Sequence, residues 1–289
     1  MNETLRQEIL RIQNDEITGY HIYLNLAKLA KSTENRKVLE KIAVQELNHS
    51  KTWQNHTGQE ASPSKIKIAF ISLLGKCFGL TFGAKLMERT ERDGVELYSH
   101  LKNDFPEAEQ MMVEEARHED ELIALLNEES LHYSGSIVLG LNDALVELTG
   151  TLAGLTFALQ NTQLVAVSGL ITGIAAALSM SASELLSTMS EKDSAKKPAK
   201  AALYTGVAYL ITVTMLILPY LLIKNVFVSL GVMLGAAVLI IMAFTFYSAV
   251  VNGEKFLKRF ATMAAISLGV AALSFGIGLI VRNLLGINA

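Results

Sequence analysis

Residues 136–160 read SIVLGLNDALVELTGTLAGLTFALQ, an apolar stretch that is long enough to cross a bilayer as one helix. Further apolar stretches follow it, and short connections join them. Their approximate bounds are 163–189, 201–223, 226–251 and 260–282. Because a bilayer core needs roughly 20 apolar residues per helix, the sequence predicts a domain of five membrane-spanning helices over residues 132–289.

Basic residues are distributed unequally between the two sides of these helices. Seven lie in the 191–200 and 252–259 loops, and two, Lys224 and Arg282, lie on the opposite side. Cytosolic loops carry the excess of Lys and Arg, and the charged, amphipathic N-terminus does not resemble a secretory signal. We therefore expect an integral membrane protein, of the cell membrane in a prokaryote, with its N-terminal domain in the cytosol and its C-terminus outside.

Residues 1–131 are charged and show helical periodicity. The predicted main helices cover about 2–31, 35–57, 80–102 and 106–131. A short loop joins each pair, and a longer crossover, 58–79, separates the pairs. Two hairpins joined by one long crossover are typical of a ferritin-like four-helix bundle. The predicted fold class is therefore all-α, a ferritin-like bundle over 1–131 followed by the transmembrane domain.

The crossover contains an apolar segment of its own, IKIAFISLLGKCFGL, over residues 66–80. It is short for a membrane span and carries Lys76. We expect an additional helix that either packs on the bundle or lies at the membrane surface.

Carboxylates interrupt the apolar face of each predicted bundle helix. The second and fourth helices carry Glu-x-x-His, a spacing that places both side chains on one helix face, and the other two carry single glutamates. Buried carboxylates are costly unless a cation lies between them, and this pattern is typical of di-iron and di-manganese bundles. The predicted ligands are Glu16, Glu46, His49, Glu88, Glu91, Glu115 and His118. We expect Tyr20, Tyr23 and Tyr98 in the core, where one of them could lie near the metals.

Residues 201–223, 226–251 and 260–281 contain no Asp, Glu, Lys, Arg or His, so charged residues within the spans are confined to the first two. Asp143 and Glu147 are four residues apart and share a face of the first span, and Glu184 follows Met180 by one turn in the second. Such groups cost about 2.5–3.5 kcal/mol at the centre of a span and usually mark function. Carboxylates with a thioether suit Fe²⁺ or Mn²⁺, so we predict a transport path along these four residues. For Glu184 and Met180 the alternatives are contact with headgroups and simple packing.

Two classes of partner and cofactor are excluded by composition. The single cysteine, Cys77, rules out an intramolecular disulfide, a cysteine-ligated zinc site and a rubredoxin-type iron centre. The chain has a net charge of −3 and therefore lacks the basic surface that is typical of a nucleic-acid-binding protein.

The ligand pattern of residues 1–131 resembles the rubrerythrin and ferritin-like family, whose di-iron centres react with peroxide or oxygen. Glu91 would be the additional glutamate of the rubrerythrin version. The rubredoxin module of full rubrerythrins is missing, so the resemblance implies ferrous-iron binding and oxidation rather than a complete peroxidase cycle.

Residues 134–286 resemble the vacuolar iron transporter family through GLNDALVELTGTLAGLTFAL (140–159) and GLITGIAAALSMSASELLSTMSE (169–191). That family moves ferrous iron and manganese out of the cytosol in exchange for protons and is dimeric. The resemblance implies transport roles for Asp143 and Met180, and a homodimer with the ion path between its first spans. Thr172 stands where plant members carry glutamate, and their long Glu-rich cytosolic insert is reduced to the 191–200 loop. Together the two halves resemble membrane-bound ferritin-like iron exporters.

These features are consistent with two functions. The first is export of ferrous iron or manganese by proton antiport, with the bundle collecting, sensing or oxidising the metal. The second is a membrane-anchored ferroxidase or peroxidase whose spans serve mainly as an anchor. Acids within the membrane favour the first, because an anchor needs none. A third hypothesis combines both activities.

Overall fold

The computed structural model describes residues 3–125, 133–191 and 196–285, and their regular structure is entirely helical. The chain divides into two compact units, Met1–Glu128 and Glu129–Ala289. The predicted all-α architecture is confirmed.

Five helices make up the described part of the first unit. They are α1 (Glu3–Ala27), α2 (Thr33–Thr57), α3 (Lys65–Phe78), α4 (Leu80–Leu101) and α5 (Pro106–Leu125). The four main predicted helices correspond to α1, α2, α4 and α5, and α3 lies in the crossover. The predicted end of the last helix, beyond residue 125, lies outside the described residues.

Local capping explains where these helices begin and end. The hydroxyl of Ser32 accepts a hydrogen bond from the amide of Glu34 at 3.1 Å and so caps the N-terminus of α2. Gly58 ends α2 with φ of +65°, a left-handed conformation that glycine adopts without strain. Pro106 begins α5, where its missing amide hydrogen costs no helical bond.

Helices α1 and α2 pack along each other, as do α4 and α5. The guanidinium of Arg6 donates to the carbonyl of Thr57 at 3.2 Å, so the start of α1 lies at the end of α2 and the pair is antiparallel. Trp53 and Tyr98 are buried in an apolar cluster at this end of the bundle. The polar residues described below lie beside that cluster.

The described part of the second unit contains five long helices, each long and apolar enough to cross a membrane. They are α6 (Ser134–Leu159), α7 (Thr162–Ser190), α8 (Pro198–Leu222), α9 (Val226–Asn252) and α10 (Phe256–Leu285). The five predicted spans are confirmed, each within a few residues of its expected bounds.

Helix α6 contacts each of the other four spans and is the centre of this unit. Small residues permit the close approach. A Cβ on Gly140 would collide with the carbonyl oxygen of Thr205 on α8, and one on Gly278 of α10 would collide with that of Gly154. The acids of α6 are therefore held on a closely packed, rigid element.

Candidate metal centre

Four buried acid and histidine side chains meet in the middle of the bundle. Glu16 of α1, Glu46 and His49 of α2, and Glu115 of α5 each offer a ligand atom, and these atoms lie within 4.8 Å of one another. All four side chains are buried. The helical periodicity that buries each apolar face also directs these side chains inward.

Each of the two Glu-x-x-His histidines points its Nδ1 atom at two carboxylates, and Glu115 is common to both. His49 Nδ1 lies 3.3 Å from Glu16 Oε2 and 3.2 Å from Glu115 Oε1. His118 Nδ1 lies 3.4 Å from Glu46 Oε1 and 3.6 Å from Glu115 Oε2. The two imidazole rings are stacked with centroids 6.1 Å apart. Glu115 thus presents one oxygen to each histidine, an arrangement suited to two adjacent cations that share one carboxylate.

The outer nitrogens of both histidines have acceptors. His49 Nε2 donates to Glu114 Oε2 at 2.8 Å, and His118 Nε2 donates to Gln45 Oε1 at 3.1 Å. An imidazole whose outer nitrogen carries the proton presents its inner nitrogen as a metal ligand. Glu114 and Gln45 therefore orient both Nδ1 atoms towards the centre.

The acid and histidine side chains of this centre shift one another's pKa values. Burial lowers the pKa of His49, but Glu115 and Glu16 outweigh that effect and raise it to about 11. Burial raises the pKa of Glu115, but His118 and His49 together lower it to about 2. Burial and the adjacent Glu16 carboxylate raise the pKa of Tyr98. Without a metal, a protonated His49 beside an ionised Glu115 holds the centre together.

Several ligand atoms in the centre lack hydrogen bonds. Among the described residues, none supplies a hydrogen-bond partner to the buried atoms Glu16 Oε2, His49 Nδ1, Glu115 Oε1 and His118 Nδ1. Buried polar atoms are normally satisfied, and oxygen and imidazole nitrogen are the ligands of iron and manganese in helical bundles. The residues present therefore fit a divalent transition metal.

Two neighbours shape this centre. A Cβ on Gly19 would lie 2.9 Å from Glu46 Oε2, so glycine leaves room for that carboxylate. The hydroxyl of Tyr98 donates a hydrogen bond to Glu16 Oε1, and its ring stacks on Trp53 with centroids 5.9 Å apart. Tyr98 is thus the core tyrosine that reaches the predicted ligands.

The structure brings five of the seven predicted ligands together: Glu16, Glu46, His49, Glu115 and His118. Glu88 is buried on α4. The side chain of Glu91 lies outside the described residues. The sequence prediction did not include Glu114, Gln45 or Gly19, which carry no motif that distinguishes them from ordinary helix-surface residues.

In the second unit, two of the three predicted acids accept hydrogen bonds from hydroxyls on neighbouring spans. Tyr209 of α8 donates to Glu147 Oε2 at 2.9 Å, and Ser136 of α6 donates to Glu184 Oε1 at 2.5 Å. Asp143 lies one helical turn before Glu147 on α6. The sequence prediction did not include Tyr209, because it considered only Asp, Glu, Lys, Arg and His, none of which occurs in the predicted third span, 201–223.

Glu147 and Met180 occupy contrasting environments. Glu147 is exposed on the surface of the single chain, midway along α6. Met180 is partly buried and packs against the apolar core of this unit. That packing is the alternative that the sequence left open for Met180.

One family comparison bears on this unit. Residues 134–198, which include α6, α7 and the start of α8, match the model of the VIT family. No curated protein matches the chain. The match and the five apolar helices together support an integral membrane protein.

Proposed function

We propose that this chain exports a divalent transition metal, Fe²⁺ or Mn²⁺, from the cytosol through its five-helix unit. The bundle would lie in the cytosol and hold a di-metal centre, of iron, manganese or both, that collects, senses or oxidises the same metal. The match of residues 134–198 to the VIT family is the observation that carries the transport proposal. A membrane metal transporter is the function this match suggests.

The proposal for the bundle rests on its five inward-facing ligands. One cation position would be held by Glu16, His49 and Glu115, and the other by Glu46, His118 and Glu115, as their mutual distances indicate. A bound iron pair would supply redox chemistry with oxygen or peroxide. This chain's own residues bind the ions, orient the two imidazoles and exclude water from the centre.

The acids of α6 support a path for the transported ion. A carboxylate exposed to lipid midway along a span is costly, yet Glu147 is exposed on the single chain. A second copy packed against α6 would cover Glu147 and place two sets of acids face to face. This exposure supports a homodimer with the ion path between its first spans.

Proton antiport follows from the same side chains. A carboxylate that releases a cation takes up a proton in its place, so Asp143 and Glu147 would alternate between binding the metal and binding a proton.

The excess of basic residues in the 191–200 and 252–259 loops supports a cytosolic bundle and therefore export.

Transport is tested in proteoliposomes with the bundle facing the external buffer and an acidic lumen. We expect Fe²⁺ uptake by the wild type, loss of uptake with Asp143→Ala, and unchanged uptake with Glu191→Ala, an exposed acid at the end of α7. Dissipating the proton gradient should slow the wild type. Equal uptake by wild type and Asp143→Ala, or uptake by neither, contradicts transport.

The role of the bundle is tested with Glu46→Ala and His118→Ala in the full chain. We expect both variants to bind less Fe²⁺ and to transport it more slowly at low external concentration. Glu40→Ala, an exposed acid on α2, is the matched control. If both variants bind and transport like the wild type, the bundle has no such role.

A membrane-anchored ferroxidase or peroxidase is the second candidate, and the contact of Tyr98 with Glu16 favours it. A phenol beside a metal ligand can supply an electron or a proton during oxidation. Rapid Fe²⁺ oxidation by wild type and Asp143→Ala alike, without uptake by either, would establish this function in place of transport.

A further inference from the structure

Helix α3 is attached to the bundle along one side. Ile71 and Gly75 are its buried residues, and a Cβ on Gly75 would lie 2.6 Å from the side chain of Leu26. Asn25 donates to the hydroxyl of Ser72 at 3.1 Å, and this contact also lies on the attached side. These contacts with α1 fix which face of α3 turns away from the bundle.

The opposite side of α3 is apolar and exposed. Ile66, Phe70 and Leu73 are 84%, 54% and 58% exposed, and Cys77 continues the same face one turn later. Residues at i, i+4, i+7 and i+11 form one stripe along a helix. Elsewhere in the described part of the bundle, the large exposed apolar residues are scattered singly, as Val44 and Val113 are. A contiguous apolar stripe is unusual on a surface bathed by water.

The charged residues of α3 itself are all positive, and one of them, Lys67, pairs with Asp15 of α1 at 3.3 Å. Helix α3 contains Lys65, Lys67 and Lys76 and no acidic residue. On a helical projection, Lys65 and Lys76 lie along one edge of the stripe, and Lys67 lies along the other. An apolar face bordered by lysines is the pattern of a helix that lies in the interface of an anionic membrane.

The bilayer is also within reach. The chain between Leu125, the last described residue of α5, and Ser134, the first of α6, comprises residues 126–133. Fully extended, that segment spans about 30 Å at roughly 3.5 Å per residue.

We propose that the exposed face of α3 docks on the lipid surface of the membrane that holds the second unit, with Ile66, Phe70, Leu73 and Cys77 among the acyl chains and with Lys65 and Lys76 at anionic headgroups. At 14 residues, α3 is about 21 Å long and lies in the interface rather than across the bilayer. Docking would hold this side of the bundle against the lipid surface.

The test uses the full chain in nanodiscs of phosphatidylcholine and phosphatidylglycerol. Cys77 is the only cysteine, so the native chain is labelled there with a bimane fluorophore. The reference is Cys77→Ala combined with Val113→Cys, a position on α5 that is 66% exposed. We expect nitroxide-labelled lipid to quench the Cys77 label several-fold more than the reference label, and aqueous iodide to show the reverse order.

Two variants refine this result without disturbing the buried side of α3. Phe70→Gln combined with Leu73→Gln should lower lipid quenching at Cys77, whereas Val44→Gln on α2 should leave it unchanged. Replacing phosphatidylglycerol with phosphatidylcholine should also lower it. Equal quenching of both labels overturns the proposal. Shielding of the Cys77 label from lipid and iodide alike, with close approach of two Cys77 labels, also overturns it and assigns the face to a second copy of this chain.

Discussion

Neutralising Glu115 tests the arrangement of the metal-free centre most directly. The pKa of Glu115 falls from 4.5 to about 2 in the folded bundle, and each pKa unit corresponds to about 1.4 kcal/mol. The charge on Glu115 therefore stabilises the metal-free bundle by about 3 kcal/mol at neutral pH. Glu115→Gln removes this charge from between two buried histidines, so we expect the free energy of unfolding to fall by that amount.

The pH dependence of this difference has a definite sign. Because the folded pKa of Glu115 lies below its unfolded value, the contribution is complete above roughly pH 5 and declines as the pH falls through 4.5 towards 2. The wild type and Glu115→Gln should therefore differ by about 3 kcal/mol at pH 7 and by about 2 kcal/mol near pH 3.5.

The assay is urea unfolding of the metal-free chain in detergent, followed by tryptophan fluorescence. Trp53 is the only tryptophan and is fully buried in the bundle, so its emission reports this unit alone. Glu109→Gln, an exposed acid on the same helix, is the control and should change stability by no more than about 0.5 kcal/mol. A Glu115→Gln effect below about 1 kcal/mol, or one that does not change with pH, would refute the electrostatic account of the centre.

Three further predictions concern the centre and the path. Gly19→Ala should weaken metal binding, because the added Cβ would displace Glu46. The same change should stabilise the metal-free helix by up to about 1 kcal/mol. A metal titration that shows unchanged affinity would contradict this prediction. Metal must expel the proton of His49, whose pKa is about 11, so apparent affinity should rise about tenfold per pH unit from pH 6 to 8. Calorimetry in buffers of different ionisation enthalpy should show proton release, and its absence contradicts the assignment. Tyr209→Phe removes the hydrogen bond to Glu147, which contributes about 1.5–3 kcal/mol for a charged acceptor. We therefore expect this variant to slow metal uptake by proteoliposomes at least tenfold. Uptake at the wild-type rate would exclude a role for that bond.

The parts of the structure that sequence predicts are those that local periodicity determines. The 3.6-residue repeat of α2 and α5 places Glu46 beside His49 and Glu115 beside His118 regardless of the rest of the fold. Span length likewise follows from bilayer thickness. These inferences need no knowledge of which helices touch, and the helices they predict are present in the structure.

The parts that sequence does not predict depend on contacts between helices. Glu114 and Gln45 resemble any surface residues until the neighbouring helix brings His49 and His118 within hydrogen-bond distance. Tyr209 lies in a predicted span, 201–223, that contains no Asp, Glu, Lys, Arg or His, and only the packing of α8 on α6 brings its hydroxyl to an acid. The tautomer of each histidine and the hydrogen-bond partner of Glu147 both depend on a neighbouring helix, so the sequence of a single helix does not reveal them.

The two acidic regions differ in the chemistry that retention and passage require. In the bundle, imidazole nitrogens and carboxylates are buried and turned towards one another, which favours long residence of a bound ion. Residues 133–289 contain no histidine, and Glu147 is exposed with a hydroxyl as its partner. In the proposed path, carboxylates without an imidazole would bind a transition metal more weakly than the mixed nitrogen and oxygen set of the bundle, so an ion held by Asp143 and Glu147 would be released more readily. Glutamate can therefore serve both in a site that retains a metal and in a site that releases it, because histidine ligands and burial distinguish the first kind of site from the second.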